Sequence, residues 1–225
     1  MNATTPVQAN TQISTLFAVP VAQAQHPDPA RLNDALARLF LERERDPRYR
    51  NPHPSMRIGA ALYESDFNLF SWPEACIGEL QAFCWSALSQ LVAGLNGYSP
   101  EELAKLRILS HTWFHITREG GWFGLHNHAM ASWSGVYCVQ PGDLSEENPE
   151  NGLLNFVNPL STSGMFIDAG NVRVRRPYNL RNLGFQLRPG QLVLFPSWLN
   201  HEVQPYRGRS ERITVAFNCW FEGPG

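Results

Sequence analysis

The sequence predicts a mainly β fold built from antiparallel strands, with helices supporting it. Two observations carry this prediction. Residues 28–106 show helical periodicity, whereas short runs rich in Val, Ile, Phe, Trp, Tyr and Thr alternate with Gly, Pro and Asn from Arg107 onward. No helical pattern separates these later runs, which favours an antiparallel sandwich or barrel over a parallel sheet.

Composition is that of a globular protein without a polyanionic partner. The 225 residues are 43% hydrophobic and 17% charged, and the formal net charge is -2. There is no basic surplus to neutralise phosphates, so we expect neither nucleic acid nor a membrane as a partner. No signal-peptide pattern is present, and no apolar run approaches the ~20 residues of a membrane span. A cytoplasmic location is the resulting expectation, and the four cysteines, which lack metal-binding spacing, are expected to be buried thiols.

The N-terminal quarter predicts an arm, a strand and a helix. Residues 1–13 are polar and without periodicity, which indicates a flexible arm, and 14–21 predicts a short edge strand interrupted by proline. Asp28 followed by Pro29 has the pattern of an N-cap and a first helical position. The apolar stripe that follows predicts a helix ending near Arg45.

Two further helices are predicted before the β region. The longer one begins near Pro73 and ends at Gly97, where a C-terminal glycine is favoured. A short helix follows, because Ser99 and Glu102 have the spacing of a capping box. These helices predict a scaffold packed against a sheet.

The β region contains five predicted strands, at 107–118, 131–139, 152–157, 191–196 and 211–221. We expect them to form, with the helices, one domain over 14–225. The segment 141–151 is an acidic loop. The long connection at 158–183 is either a lid over a functional site or a mobile insertion.

Three histidines predict a metal site. His126 and His128 follow a strand-like run, and residues two apart in extended chain point to the same side. His201, from a distant strand, supplies a third imidazole. Imidazole is a common ligand of iron, zinc, copper and nickel.

The final predicted strand adds an arginine to this site. In ERITVAFNCWF one face is apolar, and the other carries Arg212, Thr214, Ala216, Asn218 and Trp220. Arg212 follows His201 by eleven residues across the turn-like PYRGRS. This length predicts a hairpin that places Arg212 beside the histidine's strand, where a guanidinium can bind a carboxylate through two hydrogen bonds.

These blocks resemble a known enzyme family. GLHNHAMASWSGVYCV, GLLNF, PGQLVLFPSWLNHEV and RITVAFN are similar to the bacterial 2-oxoglutarate-Fe(II) oxygenase group, within the Fe(II)- and 2-oxoglutarate-dependent oxygenases. The resemblance spans 107–221, and the opening LFAVPV also fits it. It implies a double-stranded β-helix (jelly roll) core with the site inside its open end.

The resemblance also implies roles for individual residues. His126 and His201 match the two iron histidines. Arg212, with Thr214 beside it, matches the residue that holds the distal carboxylate of 2-oxoglutarate, and the phenol of Tyr137 is expected to reach the same carboxylate. The implied cofactors are Fe(II), 2-oxoglutarate as cosubstrate, and O2.

The sequence departs from the family at the position of the third metal ligand. Most members have Asp or Glu two residues after the first histidine, and this chain has His128. The ligand set is then one negative charge short. Three interpretations stay open: His128 is a ligand, His128 faces the substrate while water completes the site, or an acidic residue such as Asp143 enters from the loop or the metal is not iron.

Four further residues are candidates for the substrate pocket. His111, Trp113, His115 and Thr117 share one strand face by parity, and we expect Trp113 and His115 to line the pocket while His111 serves packing. Asn155 and Asn218 are candidates for hydrogen bonds within the site.

The sequence thus predicts a 2-oxoglutarate-dependent dioxygenase that hydroxylates a small-molecule or peptidyl substrate and releases succinate and CO2. Desaturation, cyclisation and a homodimer stay open. One rival is a cupin-like metalloenzyme that does not use 2-oxoglutarate, for which a three-histidine site would suffice and Arg212 would have no purpose. The other is a non-catalytic jelly-roll binding module, favoured by the missing acidic ligand.

Overall fold

The computed structural model describes residues 10–54, 59, 61–144 and 147–223. Most of the predicted arm, residues 1–9, lies outside the described residues. Within them, the chain forms two antiparallel sheets with helices packed against one, as the sequence predicts.

The helices agree closely with their sequence signals. They are α1 (Pro29–Arg43), α2 (Ala75–Asn96) and α3 (Pro100–Leu103). Gly97 ends α2 in the left-handed conformation with φ 70°, and Ser99 and Glu102 form the complete capping box at α3. Asp28 precedes α1 as predicted, but its side chain makes no capping hydrogen bond.

In the described part of the chain, ten strands form the two sheets. They are β1 (Ala22–Gln25), β2 (Leu62–Glu64), β3 (Arg107–Thr117), β4 (Phe123–His126), β5 (Trp133–Gln140), β6 (Leu154–Phe156), β7 (Leu183–Phe185), β8 (Gln191–Pro196), β9 (His201–Val203) and β10 (Arg212–Glu222). The larger sheet has the order β1-β8-β5-β10-β3-β2 and the smaller sheet the order β4-β9-β6-β7. All five strands predicted in the β region are present. The short strands β2, β4, β7 and β9 give weaker sequence signals because three or four residues cannot establish an alternation.

The main core lies between the helices and the larger sheet. On β10 the apolar residues Ile213, Val215 and Phe217 are fully buried against this helical layer. Phe40 of α1 stacks on Phe114 of β3, with ring centroids 4.2 Å apart. The opposite face of β10 is therefore left to the space between the two sheets, where a second, smaller apolar cluster forms around Phe156 and Phe195.

Two sequence predictions about local structure are wrong. Residues 14–21 form no strand; β1 begins one residue later and pairs with β8, while Val19 and Val21 pack on the smaller apolar cluster. The predicted hairpin before Arg212 is also absent. Strand β9 belongs to the smaller sheet and β10 to the larger one, so residues 204–211 cross between the sheets.

The remaining predictions concern the cysteines and membrane association. All four cysteines are free thiols, and three of them are buried. No helix in the described part of the chain is long and apolar enough to cross a bilayer.

Candidate metal and cosubstrate site

Strands β4 and β9 bring two of the predicted histidines together. His126 and His201 are register partners in this antiparallel pair, and their ring centroids are 4.2 Å apart. The pairing is irregular between Phe123 and His126, so β4 carries a bulge at the site. Bulges re-aim side chains and recur next to functional sites.

Both imidazoles are oriented in the same way by the backbone. Nδ1 of His126 lies 2.7 Å from the carbonyl of Gly124, and Nδ1 of His201 lies 2.8 Å from the carbonyl of Leu199. A carbonyl oxygen only accepts, so each Nδ1 carries the proton and donates. The lone pair of each ring is consequently on Nε2, as a metal ligand requires.

His128 completes a group of three imidazoles. It follows β4, and its backbone N–H donates to the carbonyl of Ser197 at 2.8 Å, which fixes the chain after the strand. Its ring centroid is 4.8 Å from that of His126 and 5.3 Å from that of His201. One ligand atom from each of the three residues can be chosen so that all lie within 4.8 Å of one another.

The environment keeps His128 and His201 unprotonated on one ring nitrogen, as a metal ligand must be. Burial, followed by the neighbouring His126, lowers the pKa of His128 to about 4, and the same two causes lead in lowering the pKa of His201 to about 3. Both imidazoles are therefore neutral at pH 7. Together with His126, these converging imidazoles fit a divalent transition metal such as iron.

Arg212 is a buried cation without a counter-ion. It begins β10, is 4% exposed and, within the described part of the chain, has no carboxylate at ion-pair distance. Burial lowers the pKa of Arg212, but an arginine stays protonated in proteins. A buried, uncompensated charge is costly, which indicates that this guanidinium is placed for an anionic ligand.

Arg212 and the histidines line one cavity between the two sheets. This narrow inner cavity is bordered by all three histidines, by Arg212 and by Thr214. A wider outer pocket of about 370 Å³ adjoins it, and His126, His128, Trp113 and Asn218 line both spaces. Arg212 and Thr214 line only the inner one, so the histidines stand between the arginine and the outer pocket.

Tyr137 does not reach this cavity, contrary to the sequence prediction. It is the register partner of Val215, so its side chain lies on the helix-facing side of the larger sheet. It is fully buried there, and its hydroxyl donates to Oδ1 of Asn33 on α1 at 2.8 Å. Successive side chains of a strand alternate between its two faces. Val136, one residue before Tyr137, therefore faces the cavity.

Two other candidates also lie away from the histidines. Asn155 of β6 donates to Glu202 of β9 at 2.9 Å and lines neither cavity, because its neighbours Leu154 and Phe156 take the inner face of the smaller sheet. Asp143 does not enter the site. Its carboxylate accepts hydrogen bonds from the N–H groups of Arg209 and Ser210, so it caps the crossing between β9 and β10.

The other predicted pocket residues face the site. Trp113 and Asn218 line both cavities, and His115 lines the inner one. Oδ1 of Asn218 accepts from the hydroxyl of Ser134 at 2.7 Å. His111, expected to serve packing, packs on Trp220 and also lines the outer pocket.

Sequence analysis missed one wall of the outer pocket. Asn51, Glu64 and Phe67, from the segment between the first two helices, line it beside the histidines. Glu64 stands on the three-residue strand β2, opposite His115. No local sequence pattern predicts that Glu64 lies in the pocket, because its position depends on pairing with a strand some fifty residues later.

Comparisons with known proteins agree with this geometry. Residues 111–218 match the family model described as "Putative 2OG-Fe(II) oxygenase". That segment includes the three histidines, Arg212 and Thr214. Over this segment the chain is similar to that oxygenase family. A search of curated proteins found no match.

Solved structures with the same fold include several oxygenases. A prolyl-4-hydroxylase from Pseudomonas putida is 18% identical, with a TM-score of 0.60, over 92% of this chain and 94% of that one. A Trichoplax adhaerens prolyl hydroxylase in complex with a hypoxia-inducible-factor peptide is 12% identical, with a TM-score of 0.56, over 89% and 83%. HygX from Streptomyces hygroscopicus, solved with nickel, 2-oxoglutarate and hygromycin B, is 12% identical, with a TM-score of 0.55, over 92% and 83%. The fold of the oxygenase domain is therefore the jelly roll.

Proposed function

We propose that this protein is an Fe(II)- and 2-oxoglutarate-dependent oxygenase that hydroxylates its substrate. His126, His128 and His201 would hold the metal, and Arg212 with Thr214 would hold the distal carboxylate of 2-oxoglutarate. When bound, Fe(II) and 2-oxoglutarate would supply O2 activation, with release of succinate and CO2. The single observation that carries the proposal is the buried Arg212, which has no ion-pair partner among the described residues, in the cavity that the three histidines line.

The burial of Arg212 also distinguishes this function from the two alternatives. A cupin-like enzyme that acts without 2-oxoglutarate needs the metal ligands alone, and a silent binding module needs neither the ligands nor the cation. A buried guanidinium without a carboxylate partner among the described residues is explained only if a ligand supplies the carboxylate. The cosubstrate has such a group at the end remote from its keto acid.

The outer pocket is the proposed place for the substrate. It adjoins the histidines, and Phe67, Trp113 and Asn218 line it. The prolyl hydroxylase was solved with a peptide and HygX with hygromycin B, so this fold accepts both peptidyl and small-molecule substrates. Either class fits a pocket of about 370 Å³ that opens to solvent.

The test is an anaerobic titration of the apoprotein with Fe(II), with and without 2-oxoglutarate. We expect a weak visible charge-transfer band that needs both additions, because the keto acid chelates the metal. In Arg212→Met the metal should still bind, but 2-oxoglutarate affinity should fall by about 2–5 kcal/mol, roughly 30-fold or more.

Arg107→Met is the matched control, since Arg107 pairs with Glu222 at the far end of the same two strands. Its 2-oxoglutarate affinity should equal that of the wild type. Iron binding without any band that depends on 2-oxoglutarate would favour the cupin-like enzyme. Failure to bind iron at all would favour the non-catalytic module.

A further inference from the structure

Glu64 is a buried carboxylate in the outer pocket that His126 and His128 also line. It is 5% exposed. Its environment connects it to the candidate ligands: Oε2 lies 3.0 Å from Nε2 of His115, whose ring is 5.7 Å from that of Phe123, which in turn lies 4.2 Å from the ring of His126.

Glu64 is held rigidly and stays ionised. Nδ2 of Asn51 donates to Oε1 at 2.6 Å, and Oε2 lies 3.0 Å from Nε2 of His115, a nitrogen that Nε1 of Trp113 also contacts at 3.0 Å. Burial acts most strongly on Glu64 and would raise its pKa, but the hydrogen bonds with His115 and Asn51 and the charge of His126 outweigh it, so the pKa is lowered. In the described residues no Lys or Arg forms an ion pair with this carboxylate.

The three-histidine group lacks the charge that Glu64 carries. Imidazole ligands carry no negative charge to balance a divalent ion, and no carboxylate among the described residues belongs to the group that could hold the ion. A fixed negative charge in the same low-dielectric pocket attracts a cation more strongly than one in water would. Conversely, a buried carboxylate whose only ion-pair partner is a histidine gains from a cation nearby.

We propose that Glu64 is the electrostatic counter-ion of the metal centre, supplying from outside the ligand set the negative charge that His128 does not provide. It is a positioning residue and not a ligand. This inference rests on the proposed metal site. It predicts that removing the charge of Glu64 weakens metal binding without changing the arrangement of the ligands.

The test is Co(II) binding to the apoprotein, followed by the visible d–d absorption of the ion. Glu64→Gln keeps the size of the side chain and can keep the hydrogen bond from Asn51. We expect its Co(II) affinity to fall roughly 10-fold or more, because a fixed charge in a low-dielectric pocket acts strongly on a nearby ion. The d–d spectrum and the thermal midpoint of the apoprotein should stay those of the wild type, and Glu64→Asp, which restores the charge, should recover part of the affinity.

Glu202→Gln is the matched control. Glu202 follows His201 directly, but its carboxylate accepts from Asn155 and Gln204 outside both cavities, so water screens its charge. We expect its Co(II) affinity to stay within about threefold of the wild type.

Three results would overturn the inference. An unchanged affinity in Glu64→Gln would show that the charge does not act on the metal. A weaker affinity with an altered d–d spectrum would show that Glu64 acts through geometry alone. A wild-type protein that binds no Co(II) would overturn the proposed metal site itself, which separates that failure from the other two.

Discussion

At the scale of single residues, the site depends on how each imidazole is oriented. His126 and His201 are each fixed by a hydrogen bond to the carbonyl two residues before them, although they lie in different strands. This local bond places the proton on Nδ1 and the lone pair on Nε2. Two strands with the same local geometry can therefore present one divalent ion with two ready ligands.

The role of His128 determines whether the metal has three histidine ligands or two. If it is the third ligand, His128→Ala should lower Co(II) affinity at least about 10-fold, the lower end of the usual loss at metal sites. His128→Asp, which restores the common family pattern, should bind at least as tightly as the wild type because it adds a negative charge.

His111→Ala is the control for this pair, since His111 lines the same outer pocket but lies outside the group of three. Its Co(II) affinity should not change. If His128→Ala binds Co(II) like the wild type, His128 faces the substrate and water takes the third position.

At the scale of elements, the crossing from β9 to β10 builds the wall behind Arg212. Tyr206, fully buried in this crossing, donates through its hydroxyl to the carbonyl of Ser210 and accepts from the N–H of Asp143. Gly152, just before β6, packs against both Arg212 and Tyr206. The crossing and the acidic loop thus fix the stem of the arginine from behind.

Gly152→Ala should disturb this wall. Gly152 has φ +62°, and an added Cβ would lie 3.1 Å from Cδ and 3.2 Å from Nε of Arg212. We expect weaker 2-oxoglutarate binding with unchanged Co(II) binding, together with a loss of stability of about 1–2 kcal/mol from the left-handed conformation. Isothermal titration and urea unfolding measure the two effects.

Gly97→Ala controls for the backbone strain, because Gly97 has φ +70° in the left-handed conformation and its added Cβ would meet nothing within 4 Å. This variant should lose similar stability and keep its 2-oxoglutarate affinity. Equal 2-oxoglutarate affinities in the two variants would show that Gly152 does not position Arg212.

At the scale of the whole molecule, one face of the larger sheet provides stability and the other face carries the residues of the site. The helix-facing side carries the apolar core, and the side toward the smaller sheet carries Arg212, Thr214 and Asn218. A buried cation there stabilises the complex with an anion and destabilises the free protein.

Arg212→Met should therefore stabilise the apoprotein, by about 1 kcal/mol or more, because it replaces an uncompensated buried charge with apolar surface. With Fe(II) present, 2-oxoglutarate should raise the unfolding midpoint of the wild type only, since the variant has lost the carboxylate partner. Arg107→Met should change stability by less than about 1 kcal/mol, as exposed ion pairs do. An Arg212→Met apoprotein less stable than the wild type would show that the protein itself compensates the guanidinium.

Local chemistry made much of this protein predictable from sequence. The left-handed glycine after α2, the capping box of α3 and the alternation along β10 depend on neighbours in the chain, and each is found where the sequence places it. The same alternation put Arg212 and Thr214 on one face, which is the face that borders the cavity.

Pairing between distant segments was beyond sequence reasoning. Parity within β5 does not say which face meets the helices, so Tyr137 was expected in the site and lies in the core. The spacing between His201 and Arg212 suits a hairpin and a crossing equally well, and only the sheet order decides for the crossing. Glu64 joins the pocket through a strand of three residues whose partner is distant in sequence.

By itself, the sequence determined the class of fold and identified the three histidines and Arg212 as residues of one site. It could do so because periodicity and residue chemistry are local properties. Only the tertiary structure decided that Arg212 is buried without a counter-ion among the described residues, that Tyr137 lies in the core, and that Glu64 lines the outer pocket with His126 and His128. Burial and charge balance are sums over neighbours that the chain brings together from remote positions, and no short stretch of sequence contains them.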